Sequence, residues 1–215
     1  MLLLSSFSGK SEDSLAIIII KTPILYNADR SSLSLKYLKE RHGLIQDRPT
    51  ISPKIIVLHH TGGGTLKSNF NYFNQTRIEG AREMNKKQSE LNVSAHYLID
   101  RDGTIYQLME DTLFARHIIG LNYCSIGIEN IGSLEKPLTD QQVNSNAQLV
   151  RYLKKKYNIE YLIGHCEYGV FRKSPLWKET NQAYFTGKQD PEASFIQKVR
   201  EKVGDLNLKS LPILK

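Results

Sequence analysis

Most of the fold prediction rests on one stretch, Lys54-Ile55-Ile56-Val57-Leu58-His59-His60-Thr61-Gly62-Gly63-Gly64. A short run of aliphatic, mostly β-branched residues bounded by polar residues and glycines is typical of a buried strand. The strand therefore carries histidines at its tip. Because neighbouring side chains on a strand point to opposite faces, His59 and His60 cannot easily serve the same site.

Strands and helices alternate along the rest of the chain. A hairpin is expected from Ser94–Asp100 and Thr104–Leu108 around an Asp-Gly turn. Further strands are expected at Ser125–Ile131 and Tyr161–Ile163. The predicted helices are Ser34–Arg41, residues 81–91, Thr139–Tyr157 with a Thr139/Gln142 capping box, and Glu192–Val203 ended by Gly204. This order predicts a single α/β domain with a central mixed β-sheet flanked by helices.

The predicted domain has two unusual parts. Residues 1–50 are expected to form an N-terminal arm packed on the main domain, which spans residues 51–215. Residues 164–189 are expected to form a long loop after the last strand.

Composition limits the partners. Lys and Arg outnumber Asp and Glu 29 to 22, and the formal charge is +7. Such a charge suits a cell-wall polymer, an acidic membrane surface or nucleic acid. The basic residues are scattered apart from residues 154–156, without the aromatic residues that single-strand binders interleave, so nucleic-acid binding is not predicted. Two cysteines, Cys124 and Cys166, do not indicate a disulfide framework.

The N-terminal stretch leaves localisation open. The apolar run Leu15–Ile20 is far too short to cross a bilayer, so no integral membrane segment is predicted. The first residues suit either the remnant of an export signal or a flexible terminus.

Two histidines at strand tips and one carboxylate could form a metal site. His59 follows the first strand, His165 follows Tyr161–Ile163, and Asp190 comes later. Three protein ligands leave one position of a Zn²⁺ ion open to water, as hydrolysis requires. This spacing alone is a weak signal, because the three residues are far apart in the sequence.

Four segments that occur in this order strengthen the prediction of a metal site: residues 56–61, residues 94–103, Ser125-Ile126-Gly127-Ile128-Glu129, and Gly164-His165. Together they resemble the type 2 N-acetylmuramoyl-L-alanine amidase family, which includes phage amidases and animal peptidoglycan recognition proteins. The resemblance covers about residues 54–204. It implies the amidase fold and hydrolysis of the amide between the lactyl group of N-acetylmuramic acid and L-alanine.

The resemblance also implies roles for individual residues. His59 and His165 match the family's zinc-binding histidines. The stretch Lys188-Gln189-Asp190-Pro191 matches a pattern that supplies Asp190 as the third ligand and Lys188 as the group stabilising the oxyanion. Glu129 matches the catalytic acid/base. The long stretch between His165 and Lys188 departs from short-looped relatives.

Other positions are less determined. Glu192 stands where many members have Gly, and Ala95 stands where phage members have Tyr, which favours Lys188 over a tyrosine-assisted mechanism. His117 resembles the family's substrate-side histidine, although a solvated loop histidine is nearly as consistent. His60 could support a metal ligand, pack, or contact substrate.

Structural explanations compete with the catalytic ones. His59 could be a hydrogen-bonded core histidine, and Glu129 could belong to a structural ion pair. Asp190, followed by Pro191, could cap a helix. Cys166 is not expected to bind metal, because its side chain should point away from that of His165.

The sequence thus predicts a zinc-dependent hydrolase, monomeric, acting on peptidoglycan or muropeptides in the cell envelope, the periplasm or outside the cell, with a cytoplasmic location as the alternative. A non-catalytic peptidoglycan-binding module of the same fold is the alternative function. Nucleic-acid binding, resting on charge alone, is a third.

Overall fold

The computed structural model describes residues 17–79 and 87–212. One mixed sheet has six strands, in the order β1-β4-β3-β5-β2-β6. The strands are β1 Ile19–Lys21, β2 Ile55–His60, β3 Tyr97–Ile99, β4 Ile105–Gln107, β5 Ser125–Asn130 and β6 Tyr161–Gly164. The α-helices are α1 Ala28–His42, α2 Leu66–Asn74, α3 Asp140–Lys156 and α4 Ala193–Lys202, and shorter 3-10 helices cover Asn122–Cys124, His165–Lys173 and Gly204–Leu206. The predicted single α/β domain with a mixed sheet is confirmed.

Strand β2 lies between β5 and β6, and it is parallel to both. Its aliphatic residues are completely buried because both faces of the sheet are covered. Ile56 and Leu58 pack into the larger core, whereas Ile55 and Val57 face the core formed with residues 118–184. This alternation confirms that His59 and His60 leave the strand on opposite faces.

The hairpin and the long helix form where predicted, although the hairpin strands β3 and β4 have three residues each. Strands β3 and β4 pair antiparallel around the turn at Gly103, where φ is +88° and glycine is favoured. The Thr139 hydroxyl accepts a hydrogen bond from the Gln142 amide, and the Gln142 side chain accepts one from the Thr139 amide. This reciprocal cap begins α3 at the expected residue.

The N-terminal region differs from the prediction in its extent. Helix α1 begins at Ala28, six residues before the predicted Ser34, because the Asn27 side chain caps it by accepting from the Arg30 amide. It ends as predicted before Gly43, which is left-handed with φ 66°. Strand β1, which was not predicted, pairs with β4 at the edge of the sheet. The domain boundary at residue 50 stays a prediction.

Three other predicted elements need comment. Most of the helix expected at 81–91 falls on residues 81–86, which lie outside the described residues. The loop predicted at 164–189 is partly wrong, because β6 includes Gly164 and a 3-10 helix follows it. Helix α4 begins one residue later than expected, and Glu192 occupies its N-cap position without a side-chain cap. Across the described ranges, every helix is too short or too polar to cross a membrane.

Candidate active site and metal-ligand cluster

A cleft of about 420 Å³ lies where β2, β5 and β6 end. Parallel strands bring side chains from distant parts of the sequence to one edge of a sheet, where α/β proteins commonly place their sites. The cleft is lined by the predicted site residues His59, His60, His117, Glu129, His165, Lys188 and Asp190, together with Tyr37, Arg116, Tyr184 and Thr186 among others.

Three potential metal ligands converge in this cleft. Leu58 in β2 pairs with Gly164 in β6, so the next residues, His59 and His165, are neighbours. The Nδ1 atom of His165 is 3.0 Å from Oδ2 of Asp190, and Nδ1 of His59 is 3.5 Å from the same oxygen. The ligand atoms of all three residues lie within 4.8 Å of one another.

The cluster fits a metal ion in both chemistry and size. Two imidazoles and a carboxylate form a ligand set found in catalytic zinc sites, and ligand atoms of a tetrahedral zinc site lie roughly 3.3 Å apart. The two distances to the Asp190 oxygen, 3.0 and 3.5 Å, match that separation. Two of the three separations thus suit a bound metal ion, and the third, between the two histidines, is within 4.8 Å.

The protonation states also suit a metal. Burial lowers the pKa of His165 to about 4, and the nearby His59 contributes to the shift, so this imidazole is neutral at pH 7. Burial acts to raise the pKa of Asp190, but its contacts with the His165 and His59 rings outweigh that effect, and the pKa falls below its usual value. Neutral imidazoles and an ionised carboxylate are the forms that bind metal.

A chain of hydrogen bonds behind His59 fixes its tautomer. Nε2 of His59 is 3.0 Å from Nδ1 of His117, and Nε2 of His117 is 3.3 Å from the Ser125 carbonyl oxygen. A carbonyl oxygen only accepts, so His117 donates from Nε2 and accepts at Nδ1 from His59. Nδ1 of His59 then keeps its lone pair toward Asp190, as a metal ligand requires.

This geometry changes the interpretation of His117. Both of its ring nitrogens contact protein atoms, although the ring also lines the cleft. A Cβ atom at Gly127 would lie 2.7 Å from the His117 ring, so glycine in β5 makes room for it. The structure thus has His117 supporting His59, and direct contact with substrate stays a prediction.

Glu129 and Lys188 line the same cleft as the ligand cluster. Glu129 pairs in register with His59 across the parallel β2 and β5 strands, which places the two side chains on the same face of the sheet. Lys188 lies two residues before Asp190, close enough for its charge to contribute to the lowered pKa of His165. An acid and a cation therefore accompany the potential metal ligands.

His60 lies outside the ligand cluster. Its Nδ1 accepts a hydrogen bond from the Gly62 amide at 3.1 Å, and its partly exposed ring lines the cleft. Support of the neighbouring loop is therefore observed, and contact with substrate stays a prediction.

Asp190 does not cap the closing helix, so that structural explanation is wrong. The N-cap position is Glu192, and the Asp190 carboxylate faces the two histidines instead. The Asp190 carbonyl oxygen accepts from the Cys166 amide at 2.7 Å, which fixes the backbone beside the ligand. The Cys166 sulfur lies 3.5 Å from the Pro191 carbonyl oxygen and is not part of the ligand cluster.

Part of the cleft was not predicted. Tyr37 comes from α1, Arg116 from the loop before His117, and Tyr184 and Thr186 from the segment after β6. No local sequence pattern marks them, because only tertiary packing brings them to the cleft. The arm thus contributes a residue to the site.

Residues 47–193 match the family model described as N-acetylmuramoyl-L-alanine amidase. The chain belongs to this family. The match spans most of the chain and includes every predicted ligand, which confirms the resemblance seen in the sequence.

The relatives that the chain resembles include a bacterial amidase and phage endolysins. The chain is 36% identical over 95 residues to 1,6-anhydro-N-acetylmuramyl-L-alanine amidase AmpD of Haemophilus influenzae, covering 39% of this chain and 52% of that protein. It is 32% identical over 96 residues to the endolysin of Escherichia phage T7, covering 42% of this chain and 64% of the endolysin. The matches thus span between half and two thirds of these relatives.

Solved structures of the same fold cover nearly the whole chain. A selenomethionine derivative of AmpD has a TM-score of 0.54 at 22% identity, covering 86% of this chain and 93% of that one. The amidase LysC of Clostridium intestinale has a TM-score of 0.51 at 22% identity, covering 90% and 99%. Bumblebee PGRP-SA has a TM-score of 0.51 at 18% identity, covering 91% and 99%. The predicted amidase and peptidoglycan-recognition-protein fold is confirmed.

Proposed function

We propose that this protein is a zinc-dependent amidase that hydrolyses the bond between the lactyl group of N-acetylmuramic acid and L-alanine in peptidoglycan or muropeptides. The observation that carries the proposal is the convergence of His59, His165 and Asp190 in a cleft that Glu129 and Lys188 also line. Membership in the amidase family supplies the reaction class.

His59, His165 and Asp190 would hold the zinc ion. When bound there, zinc supplies a Lewis acid that polarises a carbonyl and makes water a nucleophile near neutral pH. The chain's own contribution is to keep the His165 imidazole neutral and the Asp190 carboxylate ionised. The His117 and Ser125 contacts keep the His59 lone pair directed at the site.

Glu129 acts as the proton carrier. Its carboxylate removes a proton from the attacking water as the new C–O bond forms at the lactyl carbonyl. The same carboxyl group then gives that proton to the departing alanine nitrogen as the C–N bond breaks. The proton has thus passed from the water to the leaving nitrogen, and Glu129 ends the cycle ionised.

Lys188 stabilises the charge that develops during this step. Its ammonium group donates to the carbonyl oxygen as that oxygen becomes an oxyanion. The partly buried position of Lys188 in the cleft strengthens this interaction relative to water.

The partner is a peptidoglycan polymer or a soluble muropeptide, and the protein acts as a monomer in the cell envelope or outside the cell, with a cytoplasmic location as the alternative. The positive formal charge of +7 supports an anionic wall substrate.

Peptide release from purified muropeptides, followed by mass spectrometry, tests the proposal. Glu129→Gln should lower turnover by about 10²- to 10³-fold, because the proton carrier is lost. Its zinc content should be unchanged. Glu160→Gln, the same change at an acid paired with Lys54 away from the cleft, is the control and should keep full turnover. Full turnover in Glu129→Gln would show that Glu129 is not the proton carrier. If the wild-type protein bound peptidoglycan but did not cleave it, the protein would be a binding module instead.

A further inference from the structure

The last turn of α1 contacts the segment formed by residues 165–189. Arg41 makes an ion pair with Glu179, and the two side chains are only 11% and 1% exposed. The Thr180 amide donates to the Arg41 carbonyl oxygen at 3.0 Å, and the Thr180 hydroxyl donates to the Glu40 carbonyl oxygen at 2.6 Å. Nδ1 of His42 donates to the Lys178 carbonyl oxygen at 3.1 Å. We refer to these four interactions as the α1 contact.

The α1 contact leads directly to the cleft. The Arg41 guanidinium lies 5.1 Å from the centre of the Tyr184 ring. Tyr37, one turn earlier on α1, lies under the Arg116 guanidinium at 5.2 Å, and Arg116 donates to the Tyr184 hydroxyl at 3.4 Å. Tyr37, Arg116 and Tyr184 all line the cleft. One wall of the cleft is therefore assembled on a helix that lies outside the matched family region.

The ion pair is the most sensitive part of this contact. Burial raises the pKa of the Glu179 carboxyl, and Arg41 acts against that rise. If Arg41 lost its charge, Glu179 would have to leave its position or take up a proton, because an unpaired buried carboxylate is unfavourable. Either change would loosen residues 178–185.

The end of the segment next to the ligand cluster has a separate anchor. The Tyr168 hydroxyl donates to the Thr186 carbonyl oxygen at 2.5 Å, and it accepts from the Thr186 amide at 3.2 Å. Tyr168 belongs to the 3-10 helix that begins at His165. This anchor fixes Thr186, two residues before Lys188, and the Cys166 amide donates to the Asp190 carbonyl oxygen at 2.7 Å, so neither contact involves α1.

We propose that α1 is a specificity-determining part of the site, in which Arg41 is a positioning residue that holds the Tyr184 wall of the cleft for substrate binding. The inference rests on the proposed amidase function. Because the anchor at Thr186 is separate, losing the α1 contact weakens binding of the muropeptide and leaves the chemical step intact.

The test compares Arg41→Met with Asp29→Asn. Asp29 lies at the opposite end of the same helix, where it pairs with Arg77 on the surface, so its substitution disturbs α1 without touching the segment. Arg41→Met should raise KM for a muropeptide about tenfold and change kcat by less than about twofold, since it removes binding rather than transition-state interactions. Hydrogen exchange of amides 178–185 should become faster. Asp29→Asn should leave KM, kcat and the exchange rate of these amides unchanged.

A milder variant covers the case in which Arg41→Met fails to fold. Thr180→Val removes only the hydroxyl bond to Glu40 and should raise KM in the same direction by about two- to threefold. Unchanged KM in both variants, or equal effects of Arg41→Met and Asp29→Asn, would overturn the inference. If the wild type cleaves no muropeptide, the proposed function fails, while exchange at residues 178–185 still shows whether Arg41 holds the segment.

Discussion

Two aspartates, Asp111 in the interior and Asp190 partly exposed at the cleft, show how differently the same residue type is used in this molecule. Asp111 is 2% exposed and accepts hydrogen bonds from Tyr97, from Lys156 at 2.7 Å, from Tyr157 at 3.0 Å and from Gln107 at 3.0 Å. A cation and three neutral donors therefore satisfy its carboxylate permanently. Such a network ties β3 and β4 to the end of α3.

Asp190, by contrast, lies at the edge of an open cleft and faces two imidazole rings. Its Oδ2 lies 3.0 Å from His165 and 3.5 Å from His59. The ionised Asp190 carboxylate carries a negative charge that a metal cation would balance. The Asp111 cluster is thus complete as a structural element, whereas the Asp190 cluster offers ligand atoms for a cation.

Substituting each aspartate in turn should give the largest contrast. Asp190→Ala should lose bound zinc and lower peptide release by about 10³-fold or more, because the Lewis acid is lost. Asp111→Asn should keep zinc and activity per folded molecule but lower the free energy of unfolding by about 2 to 3 kcal/mol, because Lys156 loses its buried partner. Metal content by mass spectrometry and denaturant unfolding measure the two effects. Loss of zinc in Asp111→Asn would show that the Asp111 cluster is not purely structural.

Removal of the metal should lower the thermal stability of only those proteins that keep the Asp190 cluster. A ligand present at a thousand times its dissociation constant stabilises the folded state by about 4 kcal/mol. A chelator should therefore lower the Tm of the wild type and of Asp111→Asn by the same amount. The Tm of Asp190→Ala should not respond, and a chelator-induced shift in that variant would place the metal elsewhere.

The contribution of the Asp111 cluster to the free energy of unfolding should be smaller and should depend on pH. Burial acts to raise the pKa of Asp111, but hydrogen bonds from Lys156, Tyr97 and Tyr157 outweigh it and lower the pKa below its usual value. This stabilisation is present above the unfolded pKa of about 3.9 and is lost as pH falls through the lower folded value. Lys156→Met should therefore cost about 1 to 2 kcal/mol at pH 7, given that Lys156 is partly exposed, and less below about pH 4.

The measurement is the free energy of unfolding of both proteins at several pH values. A difference between them that stays constant down to pH 3 would show that the charge of Asp111 does not matter.

The sequence predicted the elements whose signals are local. Strand β2 has an unbroken aliphatic run, and α3 has a reciprocal cap at Thr139, so both were located closely. Strand β1 has only three residues and depends on pairing with β4, which no local pattern reveals. The early start of α1 was missed because the Asn27 cap precedes the apolar pattern of the helix.

The candidate site divides in the same way. The strand-tip positions of His59 and His165, followed by Asp190, gave only a weak signal, and resemblance to a family strengthened it. The two histidines are far apart in the sequence and become neighbours only through the pairing of β2 with β6. The wall that contains Tyr37 and Tyr184 could not be predicted, because it depends on packing between α1 and the segment after β6. Family motifs thus identified the chemistry of the cleft but not the shape of its wall.

Metal-dependent peptide release is the most direct test of the central claim that the Asp190 cluster binds a catalytic zinc ion. Purified muropeptides are incubated in three separate samples: with the protein alone, with the protein and a chelator, and with the protein, a chelator and then excess zinc. Free peptide is measured by mass spectrometry in each sample. The expected result is release of a peptide beginning with L-alanine, its loss on chelation and its recovery with zinc. Release that continues unchanged in chelator, from protein shown to contain no metal, would contradict it.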